Sequence, residues 1–378
     1  MSVLGDAGAA VPGRGAAPPS ELPADLRTPC VLVGATILRA NLEAMATQAQ
    51  RRGLALRPHA KTHKCLQIAH SQLALGAAGL TVATVGEAET FADAGVADLF
   101  IAYPIWADAD RGRRLRALAD RVVLRVGVES REGAALLGRA LGGTTAEAII
   151  EIDSGHHRTG VAPPAAAAIA QAVAAAGMRV GGIFTFPGHG YGPQHRVSAA
   201  VDEARALSEA AQLVESAGFE CAMRSGGSTP TAALTAADVL TELRPGVYVF
   251  NDAQQVELGA AAFSDVALVV ASTVVSRSAG AVVLDAGSKV LGADRAAWAS
   301  GFGRLPDHPA ARITALSEHH ATVTFIDGDR GGMPDLGDVV RVVPNHVCSV
   351  VNLADELLVI QGGAIVDSWP VAARGRNT

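Results

Sequence analysis

Aromatic residues are scarce: three Trp, three Tyr and nine Phe among 378 residues. With so few stacking surfaces, and 31 basic against 37 acidic side chains, the chain has neither the charge nor the platforms of a nucleic-acid binder. Cysteine is nearly as rare. Cys30, Cys65, Cys221 and Cys348 are scattered and form no CxxC pair, which argues against a disulfide framework and for a reducing compartment, the cytoplasm. No apolar run is long and clean enough to span a bilayer. The N-terminus lacks the basic start and apolar core of a secretion signal. Its "MSVLGDAGAAVPGRGAAPPSELPADL" is rich in Ala, Gly and Pro, and residues 1–25 read as a disordered lead-in. The chain as a whole is 49% hydrophobic and long enough for two domains with cores of their own.

From about residue 26 to 255 short β-branched runs alternate with Ala- and Leu-rich helical stretches. Strand candidates are "LALRPHAK", "GLTVAT", "DLFIAY", "VVLRVG", "EAIIEID", "VGGIFTF", "CAMRS" and "TELRPG". Helix candidates such as "VGEAETFADAG" and "AVDEARALSEAAQLVESAG" lie between them. Eight strands alternating with helices predict a (β/α)8 barrel. After Phe250 helical periodicity fades, and "DVALVVASTVVSR", "GAVVLDAGS", "ITALSEHHATVTF", "DVVRVVPNHVCSVVNL" and "ELLVIQGGAIVDSWPV" read as strands separated by turns. Residues 256–378 are therefore expected to form a mostly antiparallel β domain, with the boundary near 253–262. "TPCVLV" fits either domain by spacing.

In such a barrel the active site lies at the C-terminal ends of the strands. Four polar segments fall there: "LRPHAKTHK" with Lys61, "DSGHHRTG", "FPGHGYGPQHR" and "GGSTPT". The last, Gly226 to Thr231, offers successive N–H groups and small hydroxyls suited to a phosphate, although a Gly-Ser turn capping a helix has the same composition. Lys61 sits among apolar neighbours, where an amine can lose its proton and attack an aldehyde. His59, Lys64 and Arg57 are expected to depress its pKa. Lys64 is its competitor within the motif. A lysine and a phosphate loop at one mouth suggest pyridoxal 5′-phosphate (PLP).

"RPHAKTHK", "TVATVGEAE", "DSGHHRTGV", "GGSTPT", "RPGVYVFND" and "PNHVCSVVNL" occur in that order, and as a linked set they are specific. From about residue 26 to its end the chain resembles the D-serine dehydratase and D-threonine aldolase group of fold-type III PLP enzymes, relatives of alanine racemase. The resemblance implies that Lys61 carries the cofactor as a Schiff base and that Arg158 faces the pyridine nitrogen. It implies that Gly227, Ser228, Thr229 and Tyr248 hold the phosphate. A guanidinium stays protonated, so Arg158 can donate a hydrogen bond but no proton. His346 and Cys348, taken as i and i+2 on one face of a strand, then stand where the family carries a divalent-metal pair. Zn²⁺ suits these ligands best, with Mn²⁺ or Mg²⁺ as alternatives.

The activity so implied is water elimination from a β-hydroxy-D-amino acid to a 2-oxo acid and ammonia. The alternative is aldolase cleavage to glycine and an aldehyde, with His189 or His195 as base and Tyr191 as a polar contact. Cys348 in place of the aldolases' aspartate, "GGSTPT" and "RPGVYVFND" favour dehydration. Phe186, near where aldolases carry a tyrosine, points the same way. D-serine, D-threonine and 3-hydroxy-D-aspartate all remain open as substrates. An alanine-racemase-like activity needs a tyrosine base from the β domain, yet Tyr103, Tyr191 and Tyr248 all precede it. A PLP-carrier role is disfavoured because such carriers lack the β domain and the metal pair. His319 and His320 are left open between the site and a solvated strand end. By analogy a homodimer is expected.

Overall fold

The structure is a computed structural model and describes Pro19, residues 21–325 and residues 332–378. Most of the predicted lead-in, residues 1–25, lies outside the described residues. The first strand, β1 (Cys30–Gly34), runs directly into α1 (Ala35–Arg51). The chain then alternates β2 (Ala55–Leu56), α2 (Leu66–Ala74), β3 (Leu80–Val82), α3 (Val85–Asp93), β4 (Asp98–Pro104), α4 (Ala109–Ala119), β5 (Val123–Val128) and α5 (Arg131–Leu141). It continues through β6 (Glu147–Glu151), α6 (Ala166–Ala175), β7 (Arg179–Phe184), α7 (Arg196–Ser216), β8 (Met223–Gly226) and β9 (Glu242–Leu243). Strands β2 to β9 pair in parallel in the order β2-β9-β8-β7-β6-β5-β4-β3. A parallel bridge between His59 and Thr81 joins the two ends, closing the barrel. All eight predicted barrel strands are present.

Helix starts follow their side chains. Thr84 accepts from the Glu87 N–H to cap α3, Asp108 from Asp110 and Arg111 to cap α4, and Ser130 from Gly133 to cap α5. Inside the barrel, Phe100, Ile149 and Phe184 form a small fully buried cluster. The Arg244 guanidinium caps it, 5.6 Å from the Phe100 ring centroid and 5.1 Å from that of Phe184.

Arg57, read from sequence as a neighbour of Lys61, is instead a buried clasp. Its Nε donates to Glu242 Oε2 at 2.8 Å and its Nη1 to Asp98 Oδ1 at 2.5 Å, tying β2 to β9 and β4. Glu242 accepts a further bond from Ser225 Oγ at 2.7 Å. Removing one partner of such a network strands a buried charge. Arg57→Met is expected to cost about 3–5 kcal/mol, read as a lowered midpoint in urea unfolding.

The chain leaves the barrel through α8 (Ala253–Glu257) into β10 (Leu268–Ser278), β11 (Ala281–Leu284), α9 (Ser288–Leu291), β12 (Gly303–Arg304), β13 (Arg312–Leu316) and β14 (Ala321–Thr324). β15 (Val339–Pro344), α10 (Val347–Leu353), β16 (Glu356–Gln361) and β17 (Ala364–Pro370) complete it. The sheet order is β13-β14-β11-β10-β1-β16-β17, with β15 paired to β10 and β12. Every pairing is antiparallel except β1 with β16. "TPCVLV", undecided from spacing, thus belongs to the β domain.

One expectation fails here. His346 and Cys348 are not on a strand: β15 stops at Pro344, and His346 is the N-cap of α10. The valine-rich run suggested β-structure, yet Val347, Val350 and Val351 are buried at helical spacing. Asp252 Oδ2 accepts from the Val347 N–H at 3.1 Å, satisfying a donor that the first turn leaves free. Among the described residues no helix is long and apolar enough to cross a membrane.

Candidate active site

The C-terminal ends of the barrel strands and the start of α10 enclose a cavity of about 650 Å³. Lys61 enters it from the turn after β2, Arg158 after β6, Phe186 and Tyr191 after β7, and Ser228 after β8. Arg244 and Gly246 follow β9, and His346 and Cys348 line the cavity from the start of α10. Of the ten residues singled out from sequence, these bring together Lys61, Arg158, Tyr191, Ser228, His346 and Cys348. Phe186 is the hub: the Lys61 Nζ lies 6.0 Å from its ring centroid and the Arg158 guanidinium 5.1 Å. The rings of His156 and Tyr191 sit 5.5 and 6.0 Å away.

The other residues take supporting places. Thr229 Oγ1 accepts from the Tyr248 N–H at 3.0 Å and also bonds the Tyr191 hydroxyl. The Tyr248 hydroxyl is buried away from the cavity, where it accepts from Gln72 Nε2 at 3.0 Å. Gly227 has φ +77°, a left-handed conformation, and an added Cβ would stand 2.7 Å from Leu243 Cδ2. His189 does not line the cavity. It lies behind Gly155 and His156, its Nε2 3.5 Å from Asp202 Oδ2. His195 is an exposed residue at the start of α7, and His319 and His320 lie exposed in the turn between β13 and β14.

Lys61 is open to solvent through the cavity mouth, with the cavity walls around it. Desolvation by those walls lowers its pKa; Cys348 and Glu87 pull it up, and Arg158 and Arg244 push it further down. The opposing cations are therefore not Arg57 or Lys64, as the sequence suggested. Lys64 is engaged elsewhere, 3.2 Å from Glu87 Oε1. His59 cannot contribute charge, because burial and the adjacent Lys61 and Arg244 hold its pKa well below the ordinary value. Its Nδ1 instead accepts from the Lys61 N–H at the start of the turn.

His346 and Cys348 face one another. Burial opposes charge on both, but Cys348 and Asp252 raise the His346 pKa well above its ordinary value. His346 in turn, with Lys61 and Thr62, lowers that of Cys348. The Cys348 sulfur is 3.3 Å from Thr62 Oγ1, and Asp252 Oδ2 stands 3.4 Å from His346 Nδ1. Asp252, Arg244 and His156 were missed as site residues. Arg244 could have been found by position, since it follows β9 immediately at the barrel mouth; nothing local marks Asp252 as the partner of a residue almost a hundred positions away.

The loop behind Ser228 rests on a further missed residue, Glu203 of α7. Its Oε1 accepts from the Gly227 N–H at 2.6 Å, and Thr235 Oγ1 lies 3.4 Å from Oε2. Burial raises its pKa to about 7, against the lowering effect of the Gly227 N–H and Arg244. The unfolded chain therefore releases this proton before the folded one does, and stability falls as pH rises from about 4.5 toward 7. Glu203→Gln is expected to flatten that decline and to gain roughly 2–3 kcal/mol over the parent above pH 7. Urea midpoints compared at pH 5 and pH 8 check this.

The arrangement fits PLP. Among the described residues the backbone N–H groups of Thr229, Gly246 and Val247 donate to no protein acceptor. Gly246 and Val247 line the cavity beside Ser228, a cluster of free donors suited to a phosphate. A lysine of lowered pKa and an always-charged arginine stand over the same aromatic ring. For a metal the fit is sparser: among the described residues no group of three or more His, Cys, Asp or Glu is placed to hold one. An imidazole oriented by a carboxylate and facing a thiol of lowered pKa is nonetheless a suitable donor pair.

A barrel of this type with such a mouth defines a fold-type III PLP enzyme, and comparison with known proteins narrows this. Residues 35–254 match the family described as "Alanine racemase, N-terminal domain" and residues 267–360 that described as "Putative serine dehydratase domain". The chain is 34% identical to a D-threonine aldolase of Arthrobacter sp, covering 95% of this chain and 97% of that one. It is 33% identical to a D-threo-3-hydroxyaspartate dehydratase of Delftia sp. (strain HT23), covering 86% and 91%. The crystal structure of D-threonine aldolase from Filomicrobium marinum superposes with a TM-score of 0.84 at 31% identity, covering 96% of this chain and 99% of that one. The chain belongs to this family of PLP-dependent lyases, which joins an alanine-racemase-like barrel to a serine-dehydratase β domain.

Proposed function

We propose that the protein is a PLP- and divalent-metal-dependent lyase that eliminates water from a β-hydroxy-D-amino acid, giving a 2-oxo acid and ammonia. The observation that carries this choice is the His346–Cys348 pair lining the same cavity as Lys61, with the Cys348 sulfur 3.3 Å from Thr62 Oγ1 beside it. Two solved variants of the dehydratase relative replace a cysteine and a histidine two positions apart, the spacing seen here, and the cysteine variant was solved in a metal-free form. When bound, PLP supplies an electron sink at Cα and the metal a Lewis acid at the β-oxygen.

The chain's own groups then have distinct roles. Lys61, whose pKa its surroundings lower, is the base for the Cα proton. Arg158 donates a hydrogen bond to the pyridine nitrogen without giving up a proton. Gly227, Ser228 and Thr229, with the free N–H groups of Gly246 and Val247, hold the phosphate, and Tyr248 braces Thr229 from behind. His346 and Cys348 would hold the metal, Zn²⁺ by preference. Tyr191 lies over the same space and contacts the substrate or phosphate oxygens. The assignment of the barrel to residues 26–255 and of the metal-bearing β domain to 256–378 belongs to this reading, with β1 reaching across it. So do a cytoplasmic location, supported by four free cysteines, and a homodimer, checked by light scattering.

The second reading, cleavage to glycine and an aldehyde, is favoured by the similarity to the Arthrobacter aldolase. Protein loaded with PLP and zinc, given D-serine, D-threonine and 3-hydroxy-D-aspartate, distinguishes the two. EDTA-sensitive release of 2-oxo acid and ammonia supports the dehydratase; glycine with aldehyde establishes the aldolase instead.

A further inference from the structure

The "AKTHK" turn after β2 is held from an unexpected direction. Residues Ala373 to Thr378 run across the outside of the cavity wall and fasten two of its segments together. The Ala373 N–H donates to Lys64 O at 3.1 Å, and Lys64 Nζ donates to Asn377 Oδ1 at 3.0 Å. On the other segment Thr84 Oγ1 donates to Arg376 O, and the Gly86 N–H to Thr378 O at 2.9 Å. Glu87 joins the two. Its Oε2 accepts from the Ala83 N–H at 2.7 Å and its Oε1 pairs with Lys64 at 3.2 Å. Lys61, Thr62, Ala83 and Thr84 all line the cavity. Lys64 itself has φ +48°, a conformation that a lysine keeps only when its surroundings hold it.

We infer that residues 373–378 form a positioning strap that, through Lys64 and Glu87, sets where Lys61 stands in the cavity. The sequence prepares for it at Gly86: an added Cβ there would lie 2.9 Å from Thr378 O and 3.3 Å from Arg376 Cβ, so only glycine leaves the groove open. Lys64, buried at 5% exposure, depends on the strap for one of its three polar partners, Asn377, the others being Asn352 and Glu87. Lifting the strap loosens the second half of the turn, three residues from the reacting amine. Displacements of about 1 Å at such an amine cost turnover on the order of 100-fold.

Two full-length or near full-length variants test this: Gly86→Ala, which fills the groove, and a chain lacking residues 374–378. The first reading is hydrogen exchange in PLP-free protein, which depends on no proposed activity. Exchange of the amides at 60–64 is expected to speed up at least tenfold in both variants, with that of β5 and β6 unchanged. In loaded protein kcat falls about 10- to 100-fold while KM moves less. Lys64→Arg, which keeps a cation against Glu87, retains more of kcat than Lys64→Met. Exchange at 60–64 within twofold of the parent in Gly86→Ala overturns the inference, whatever the truncated chain does. Since the kinetic arm rests on the proposed function, a parent that turns over no β-hydroxy-D-amino acid refutes that function and leaves the exchange result standing.

Discussion

Lys61→Ala protein, loaded with PLP and dialysed, is expected to keep none of the visible absorbance of the parent and to lose turnover by at least ~10³-fold. The size follows from two roles that one side chain fills. It anchors the cofactor covalently, and as a positioned base it contributes on the order of 10²–10⁴-fold by itself. The site has no ready substitute. Arg158 and Arg244 do not deprotonate, His59 lines the cavity but its Nδ1 is taken by the Lys61 N–H, and Lys64 points away to Glu87. Lys64→Ala is the matched control: it keeps the absorbance band while lowering the unfolding midpoint. A band that survives dialysis in Lys61→Ala but vanishes in Lys64→Ala would reverse the assignment.

Cys348→Ala is expected to lower kcat/KM by at least ~100-fold and to abolish recovery by added zinc after EDTA treatment. The fold should tolerate the change, because the side chain meets the core only at its edge and its sulfur faces the cavity beside Thr62. PLP absorbance is therefore retained, which separates this variant from Lys61→Ala. His346→Ala should behave alike. The two losses should not add, since either change dismantles the same pair. Full activity in Cys348→Ala with EDTA present would remove the metal from the proposal.

The barrel was readable because its signal is repetitive. Eight short β-branched runs, each followed by a helical period, leave few other architectures, and the strand-end rule then collected Lys61, Arg158, Tyr191 and Ser228 at one mouth. The failures share a cause. Arg57, His59 and Lys64 looked like one basic patch, yet burial and distant carboxylates separated them, setting Arg57 against Asp98 and Glu242 and Lys64 against Glu87. Such partners are brought in by the closing of the barrel and leave no mark on the local stretch. His189 shows the converse. A polar residue at a strand end can turn behind the mouth, and only the path of its own loop decides that. The helix at Val347 was hidden by valines, whose preference for strands yields to helix-like burial and to a carboxylate on Asp252.

The placement of β1 has a bearing on how the chain comes to fold. It is made first, yet both of its neighbours, β10 and β16, belong to the final third of the sequence. At ribosomal rates of ~5–20 residues per second, an apolar five-residue strand waits roughly ten seconds or more before either partner emerges. The barrel can close meanwhile, because all of its strands, β9 included, precede β10 in the chain, and α1 docked on it tethers β1 nearby. Late capture of that strand, a contact of very long sequence separation, is expected to be slow relative to closure of the barrel. During that interval the unpaired strand is an edge that a second nascent chain can meet, a hazard the finished sheet no longer shows.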